Sequence, residues 1–154
     1  MWREVAEFEA GYVCMHAPGS PETMHEKQAY TDIVREVGKF FQDRLKRLNA
    51  TGVAADQVVL DVGIGFGKNM EHNLQLLANL RSFKTMARPL LVGVSRKSFI
   101  GQLLDADLKE RLPGSLACAC LAAASGVQII RAHDVEETIH AVRTAEAILA
   151  RMKE

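Results

Sequence analysis

The chain lacks most features that would settle its class at once. Cysteine is scarce, three in 154 residues. Cys14, Cys118 and Cys120 are an odd set lying in apolar runs, so they read as reduced, buried small hydrophobes of a cytoplasmic protein. The C-x-C of Cys118 and Cys120 falls in a helical run and has no second pair, which argues against a zinc site. Charge of one sign is missing too. Lys+Arg and Asp+Glu are 19 each, which argues against nonspecific nucleic-acid binding and against a polybasic membrane surface. No apolar run reaches the ~18 residues of a membrane span. The start, Met1-Trp2-Arg3-Glu4, has no apolar leader core. Linkers and low-complexity segments are absent. What remains is ordinary: 48% hydrophobic and 25% charged, in a chain long enough to bury a core unaided.

The pattern that is present is strand, then helix, repeated. Gly11–His16 is a short apolar run, followed by a loop at Pro18-Gly19-Ser20-Pro21. From Thr31 to Leu48, apolar residues at 33, 34, 37, 41, 45 and 48 give helical spacing, and Gly52 follows as a stop. Val58–Asp61 is a second buried strand, and Gly63–Lys68 a glycine loop. Leu74, Leu76, Leu77 and Leu80 mark a second amphipathic helix. Pro89–Ser95 is the third strand, with Arg96-Lys97-Ser98 directly after it. Ser115–Ala124 is an almost wholly apolar helix ended by Gly126. Val127–Ile130 is the fourth strand. Asp134 then reads as an N-cap with Glu137 in a capping box, opening a helix with Val135, Ile139, Val142 and Ile148 on one face. Apolar strands without alternation imply a parallel sheet covered by helices. An open doubly wound sheet and part of a (β/α)8 barrel both fit.

The polar residues gather at one place in this scheme. His16, Asp61, Ser95–Ser98, Arg131 and His133 all fall at C-terminal strand ends, the rim where parallel α/β sheets bind ligands. Each has an ordinary explanation alone: Asp61 as a turn residue, Arg131 as a solvated charge, His133 as loop. Their convergence is what points to a site. The loop Gly63-x-Gly65-x-Gly67-Lys68 is neither a dinucleotide fingerprint nor a P-loop, for its spacing is wrong and no Ser/Thr follows the lysine. Its glycines suit close approach to a flat ligand.

The residues then resemble a known family. Asp61-Val62-Gly63-Ile64-Gly65-Phe66-Gly67-Lys68 with His72-Asn73-Leu74 is similar to the loop motif of dihydropteroate synthases. Leu91–Gly101, with Ser95-Arg96-Lys97-Ser98, resembles their Ser-Arg-Lys signature. Arg111–Ala117 and Ile130–Val135 match two further blocks in order. Met15-His16 through Pro21, Thr23 and Met24 resembles the block before them.

The resemblance implies a (β/α)8 barrel and a reaction. The family joins 6-hydroxymethyl-7,8-dihydropterin diphosphate to 4-aminobenzoate, the step that sulfonamides block, giving 7,8-dihydropteroate and pyrophosphate. On it, Asp61 would hold the pterin's ring nitrogens and amino group, and Lys97 the pterin edge. Ser98 would take the aminobenzoate carboxylate, and Phe66 would flank its ring. Arg131 and His133 would bind the diphosphate. Lys97, Arg131 and His133 are the expected catalytic residues. Mg²⁺ is the expected cofactor, with ligands from an N-terminal half not among these residues. The expected partners are the two small substrates and a second copy in a homodimer, with no nucleic acid and no membrane.

Two departures stand out. Val62 replaces a proline, which should loosen the loop, and Ala17-Pro18 replaces a Met-Arg pair at the rim. The four units, residues 1–154, correspond to the C-terminal half of the barrel as one domain. Met1 falls inside the helix before the fifth strand, so a longer natural chain is expected, and this piece alone should be inactive. Two rivals remain at this level. One is a methyltetrahydrofolate-binding methyltransferase domain, disfavoured by the Ser-Arg-Lys-Ser block. The other is a noncatalytic half-barrel module.

Overall fold

The computed structural model describes residues 1–19 and 29–152. The expected block at Ser20, Pro21, Thr23 and Met24 lies outside them. The order of elements is α1 (Trp2–Glu7), β1 (Tyr12–Met15), α2 (Ile33–Ala50), β2 (Val58–Asp61), α3 (Met70–Ala78), β3 (Leu90–Gly93), α4 (Ser98–Leu104), α5 (Leu112–Ala124), β4 (Ile129–Arg131) and α6 (Val135–Leu149). Short 3₁₀ turns at Ala55–Gln57, Leu80–Met86 and Leu108–Glu110 join them. The strands form one sheet in the order β1-β2-β3-β4. All pairings are parallel, with Cys14 opposite Leu60, Leu60 opposite Leu90, and Gly93 opposite Arg131. The four β-then-α units of the sequence are therefore present.

Period-2 alternation decides which strand residues make the core. Val58 and Leu60, then Leu90 and Val92, are buried with at most 1% of their surface exposed. Val59 and Leu91, on the opposite face, are only half-buried. Helix α2 lays Ile33, Val37, Phe41 and Leu48 onto the buried face. Phe41 meets Phe83 edge to face at 5.8 Å. Asp32 caps this helix by accepting from the Arg35 N–H at 3.0 Å. The two outer strands are less protected: Val13 of β1 is 48% exposed and Ile129 of β4 is 38% exposed. Among the described residues no helix is long and apolar enough to cross a membrane.

Several expectations need correction. Asp134 stands at the N-cap of α6, but its side chain makes no cap hydrogen bond. Its carboxylate is bound by Arg96 instead, so the capping box with Glu137 does not form. On the apolar face of α6, Val135, Ile139 and Ile148 are exposed and Val142 is half-buried. Helix α5 begins at Leu112, with Pro113 in its first turn, where proline's missing N–H costs nothing. Leu80 starts a 3₁₀ turn, because α3 stops at Ala78. Helix α4 was not anticipated, being too short for a periodic signal. Cys14 is buried as expected, whereas Cys118 and Cys120 are half-buried; all three are free thiols. Val62, where a loosened loop was expected, is fully buried in the core.

Candidate functional site

The glycine loop is held from beneath by one lysine. Lys68 is 6% exposed. Its Nζ donates to three carbonyls: Gly63 at 2.8 Å, Phe66 at 3.0 Å and His16 at 3.2 Å. An ammonium has three N–H bonds, so this cage uses all of them. It ties the loop after β2 to the residue that follows β1. Gly63 sits at φ +69, and a Cβ there would overlap the His16 carbonyl, so only glycine fits. Gly65, at φ +82, packs on the aliphatic stem of Lys97. Asn73 Oδ1 accepts the Gly65 N–H at 2.7 Å, and its Nδ2 donates to Asn69 O at 2.7 Å. Neither Lys68 nor Asn73 had a role assigned from the sequence. The one signal for Lys68 was a lysine closing a glycine loop that lacks the Ser/Thr of a phosphate loop.

Asp61 ends β2 and is 4% exposed. Its Oδ1 accepts the Gly63 N–H at 2.8 Å. Burial pushes its carboxyl up from the usual range, opposed by that N–H and by Lys97, Arg131 and Lys68. The two lysines move the other way. Burial pulls Lys68 down to about 7, with Asp61 opposing the drop and Lys97 adding to it. Burial pulls Lys97 down to about 8, opposed by Asp61 and aided by Arg131. The result is one buried carboxylate beside two poorly hydrated lysines, with the exposed Arg131 within electrostatic reach.

The third and fourth strands supply the rest. Gly93, Ser95, Lys97, Arg131, Ala132 and His133 line a cavity of ≈ 310 Å³. Arg131 reaches it because Gly93 has no side chain. A Cβ there would stand 3.0 Å from Arg131 Nη2 and 3.1 Å from Nε. Ser95 Oγ pairs with His133 Nδ1 at 3.0 Å and accepts the His133 N–H at 3.2 Å. That orients the imidazole and leaves Nε2 as its second valence. Lys97 Nζ lies 4.6 Å from the centre of the Phe66 ring, a cation–π contact, and donates to the Ile64 carbonyl.

The sequence-predicted residues therefore fall into two groups. Lys97, Arg131 and His133 share one cavity, with Phe66 against Lys97 and Asp61 within its electrostatic reach. Ser98 is exposed and lines a second hollow of ≈ 210 Å³ with Gly65, Lys68, Asn69, Asn73 and Gln102. His16 belongs to neither. It is 7% exposed, edge-on to Phe40 at 5.0 Å, and burial lowers its imidazole to about 4, Lys68 adding to the effect. That is a packed neutral histidine. Among the described residues no group of three or more His, Cys, Asp or Glu could hold a metal ion.

A cavity with an Arg and an oriented His suits a phosphate-type anion. The buried Asp61 suits a planar donor pair. Comparison with known proteins agrees in kind. The family model described as pterin binding enzyme matches residues 1–133. The dihydropteroate synthase of Escherichia coli is 51% identical over 139 residues, which are 90% of this chain and 49% of that one. That of Synechocystis is 42% identical, covering 93% of this chain and 50% of the relative. The Yersinia pestis dihydropteroate synthase solved with a sulfonamide superposes at a TM-score of 0.93, with 42% identity, over 98% of this chain and 55% of its own. The Stenotrophomonas maltophilia dihydropteroate synthase gives 0.94 at 34% identity, over 99% and 58%. Those structures make the sheet part of a barrel of the pterin-binding superfamily. The chain spans about half the length of the curated relatives it matches.

The depressed lysines set a pH dependence. Between about 7 and the usual 10.5 the unfolded chain keeps a proton on Lys68 that the folded chain releases. The unfolded state binds more protons in that window, so stability rises with pH. Lys97 adds a second rise of the same sign from about 8. The urea midpoint is expected to climb between pH 7 and 9.5. Lys68→Met should remove roughly half of that climb and Lys97→Met much of the remainder. A wild-type midpoint that stays level or falls over this range would contradict the buried ammonium.

Proposed function

Because the chain belongs to the pterin-binding enzyme family, we propose that it carries the pterin- and diphosphate-binding part of a dihydropteroate synthase. The observation that carries this reading is the cavity joining Lys97, Arg131 and His133 at the rim, beside a buried Asp61.

In this reading Asp61 accepts two parallel N–H donors from the guanidine-like edge of the pterin, a charge-assisted fork. Arg131 and His133 hold the diphosphate, and Lys97 covers the pterin edge. Phe66 flanks the aminobenzoate ring, and Ser98 takes its carboxylate in the neighbouring hollow. The aminobenzoate nitrogen forms a bond to the pterin methylene while the methylene–oxygen bond breaks. Pyrophosphate leaves with the bonding pair, and the amine loses a proton. Charge grows on the departing oxygens, where Arg131 and His133 stabilise it. No side chain forms a covalent intermediate. The gain is one of positioning, worth ~7–11 kcal/mol when all partners are aligned. The same reading includes a Mg²⁺ with ligands outside the described residues. It also includes a second copy of the chain, for which the support is α5, an apolar helix with Leu121 67% exposed. The three free cysteines favour a reducing, cytoplasmic setting.

Two substitutions separate the halves of the site. Asp61→Asn should weaken pterin binding by roughly 2–4 kcal/mol, the scale of breaking a buried charge-assisted pair. Gly93→Ala should push the Arg131 guanidinium aside and weaken pyrophosphate binding by roughly 1.5–3 kcal/mol, with pterin binding kept. Titration calorimetry reads both. Unchanged pterin affinity in the first variant, or unchanged pyrophosphate affinity in the second, sinks that residue's role.

A turnover assay tests the whole. Given pterin diphosphate, 4-aminobenzoate and Mg²⁺, the 154-residue chain alone is expected to form no dihydropteroate, since it offers only part of the aligned groups. Formation at the rate of an ordinary enzyme would mean that these residues suffice. On the dimer, light scattering at micromolar concentration should give twice the monomer mass, and Leu121→Glu the monomer mass.

A further inference from the structure

Arg96 is tightly constrained at the rim and has no part in binding the proposed substrates. Its backbone lies at φ +55, a left-handed conformation that a non-glycine residue adopts at a cost. Both of its backbone polar groups and two of its guanidinium nitrogens are engaged. Its N–H donates to Ser115 Oγ at 2.8 Å, and its carbonyl accepts from Arg111 Nη1 at 3.2 Å. Its guanidinium forms a two-pronged ion pair with Asp134, Nε to Oδ2 at 2.9 Å and Nη2 to Oδ1. Ser115 is itself buried, and its Oγ donates to the Arg111 carbonyl at 2.8 Å. The turn around Arg96 closes by the Lys97 N–H donating to the Val94 carbonyl at 3.2 Å.

The neighbours on either side matter. Ser95 binds His133 and Arg96 binds Asp134, so two consecutive residues of one loop grip two consecutive residues of the next. Lys97 follows directly on the first loop, and Arg131 precedes the grip on the second. Strand β4 is only three residues long, so the ladder alone holds little of the loop that follows it.

We propose that Arg96 and Asp134 are positioning residues that fix His133 and Arg131 at a set distance from Lys97, so that the anion cavity is formed before ligand arrives. This rests on the reading of Arg131 and His133 as diphosphate ligands. The alternative is a pair that only stabilises the fold.

Asp134→Asn separates the two. It removes a negative charge beside the anion cavity, so simple electrostatics would strengthen anion binding. Loss of positioning weakens it. Arg96→Gly removes the pair while suiting the left-handed backbone, so folding is kept. Titration calorimetry of the full chain with pyrophosphate, and separately with a pterin, gives the answer. The expectation is a loss of about tenfold in pyrophosphate affinity for each single variant, within the range of coupled neighbours. The Asp134→Asn, Arg96→Gly double variant should be no weaker than the singles, and pterin affinity, which reads Asp61, should hold. Unchanged or tighter pyrophosphate binding by Asp134→Asn overturns the proposal, as do additive losses or an equal loss of pterin binding. If the wild type binds pterin but no pyrophosphate, the diphosphate reading falls and takes this proposal with it.

Discussion

Parallel strands must be returned by crossovers, and that constraint brings every C-terminal strand end to one rim. Here the rim receives His16, Asp61, the Ser95–Ser98 turn and the Arg131–His133 turn from four neighbouring strands. No long-range pairing beyond the sheet ladder is needed to assemble them. What the ladder does not settle is the height and direction of each loop above the rim. Two local devices do that: a buried ammonium on the β2 side, and a paired grip between loops on the β3–β4 side.

The buried ammonium is costly to keep in place. Lys68 loses nearly all its hydration, and the three carbonyls it binds return only part of it, which is why its proton is held less tightly than in water. The compensation is geometric. A glycine loop with left-handed residues at 63, 65 and 67 has high conformational entropy, and one side chain reaching back into it removes much of that freedom. Asp61 profits twice. Its position is fixed by the same loop through the Gly63 N–H, and its charge is supported by Lys68, Lys97 and Arg131. A carboxylate supported in this way can stay ionised in a pocket dry enough to favour the flat, donor-rich edge of a heterocycle.

How much of this was legible in the sequence depends on range. The strands and long helices were readable because their apolar periods are local: α2 differs from its predicted span by two residues at each end. The rim was readable because fold class and strand ends together dictate it. Asp134 shows where legibility stops. Its spacing to Glu137 satisfies a capping pattern, yet its carboxylate is taken by an arginine 38 positions away. No local pattern announces such a competitor, and a charged fork outbids a backbone N–H for the same oxygens. Lys68 was invisible for a related reason. A lysine after a glycine loop that is no phosphate loop carries no local signal of burial, and only the approach of β1 turns it inward. Ser98 was expected beside Lys97 in one site, and it is beside Lys97 in sequence. The start of α4 turns it into the next hollow.

The uneven burial of the two halves of the rim has its own cause. Asp61 and the glycine loop stand over the best-packed strands, with β2 and β3 buried at nearly every outward position. Arg131 and His133 stand at the end of β4, whose apolar residues are half-exposed. The chain covers 55–58% of the matched barrels, so the exposure at this edge is that of part of a barrel. The Ser95–His133 and Arg96–Asp134 contacts tie this edge to the rest of the rim. They link it to the turn after β3, whose other anchors, Ser115 and Arg111, belong to α5 and its N-cap and not to the edge at all.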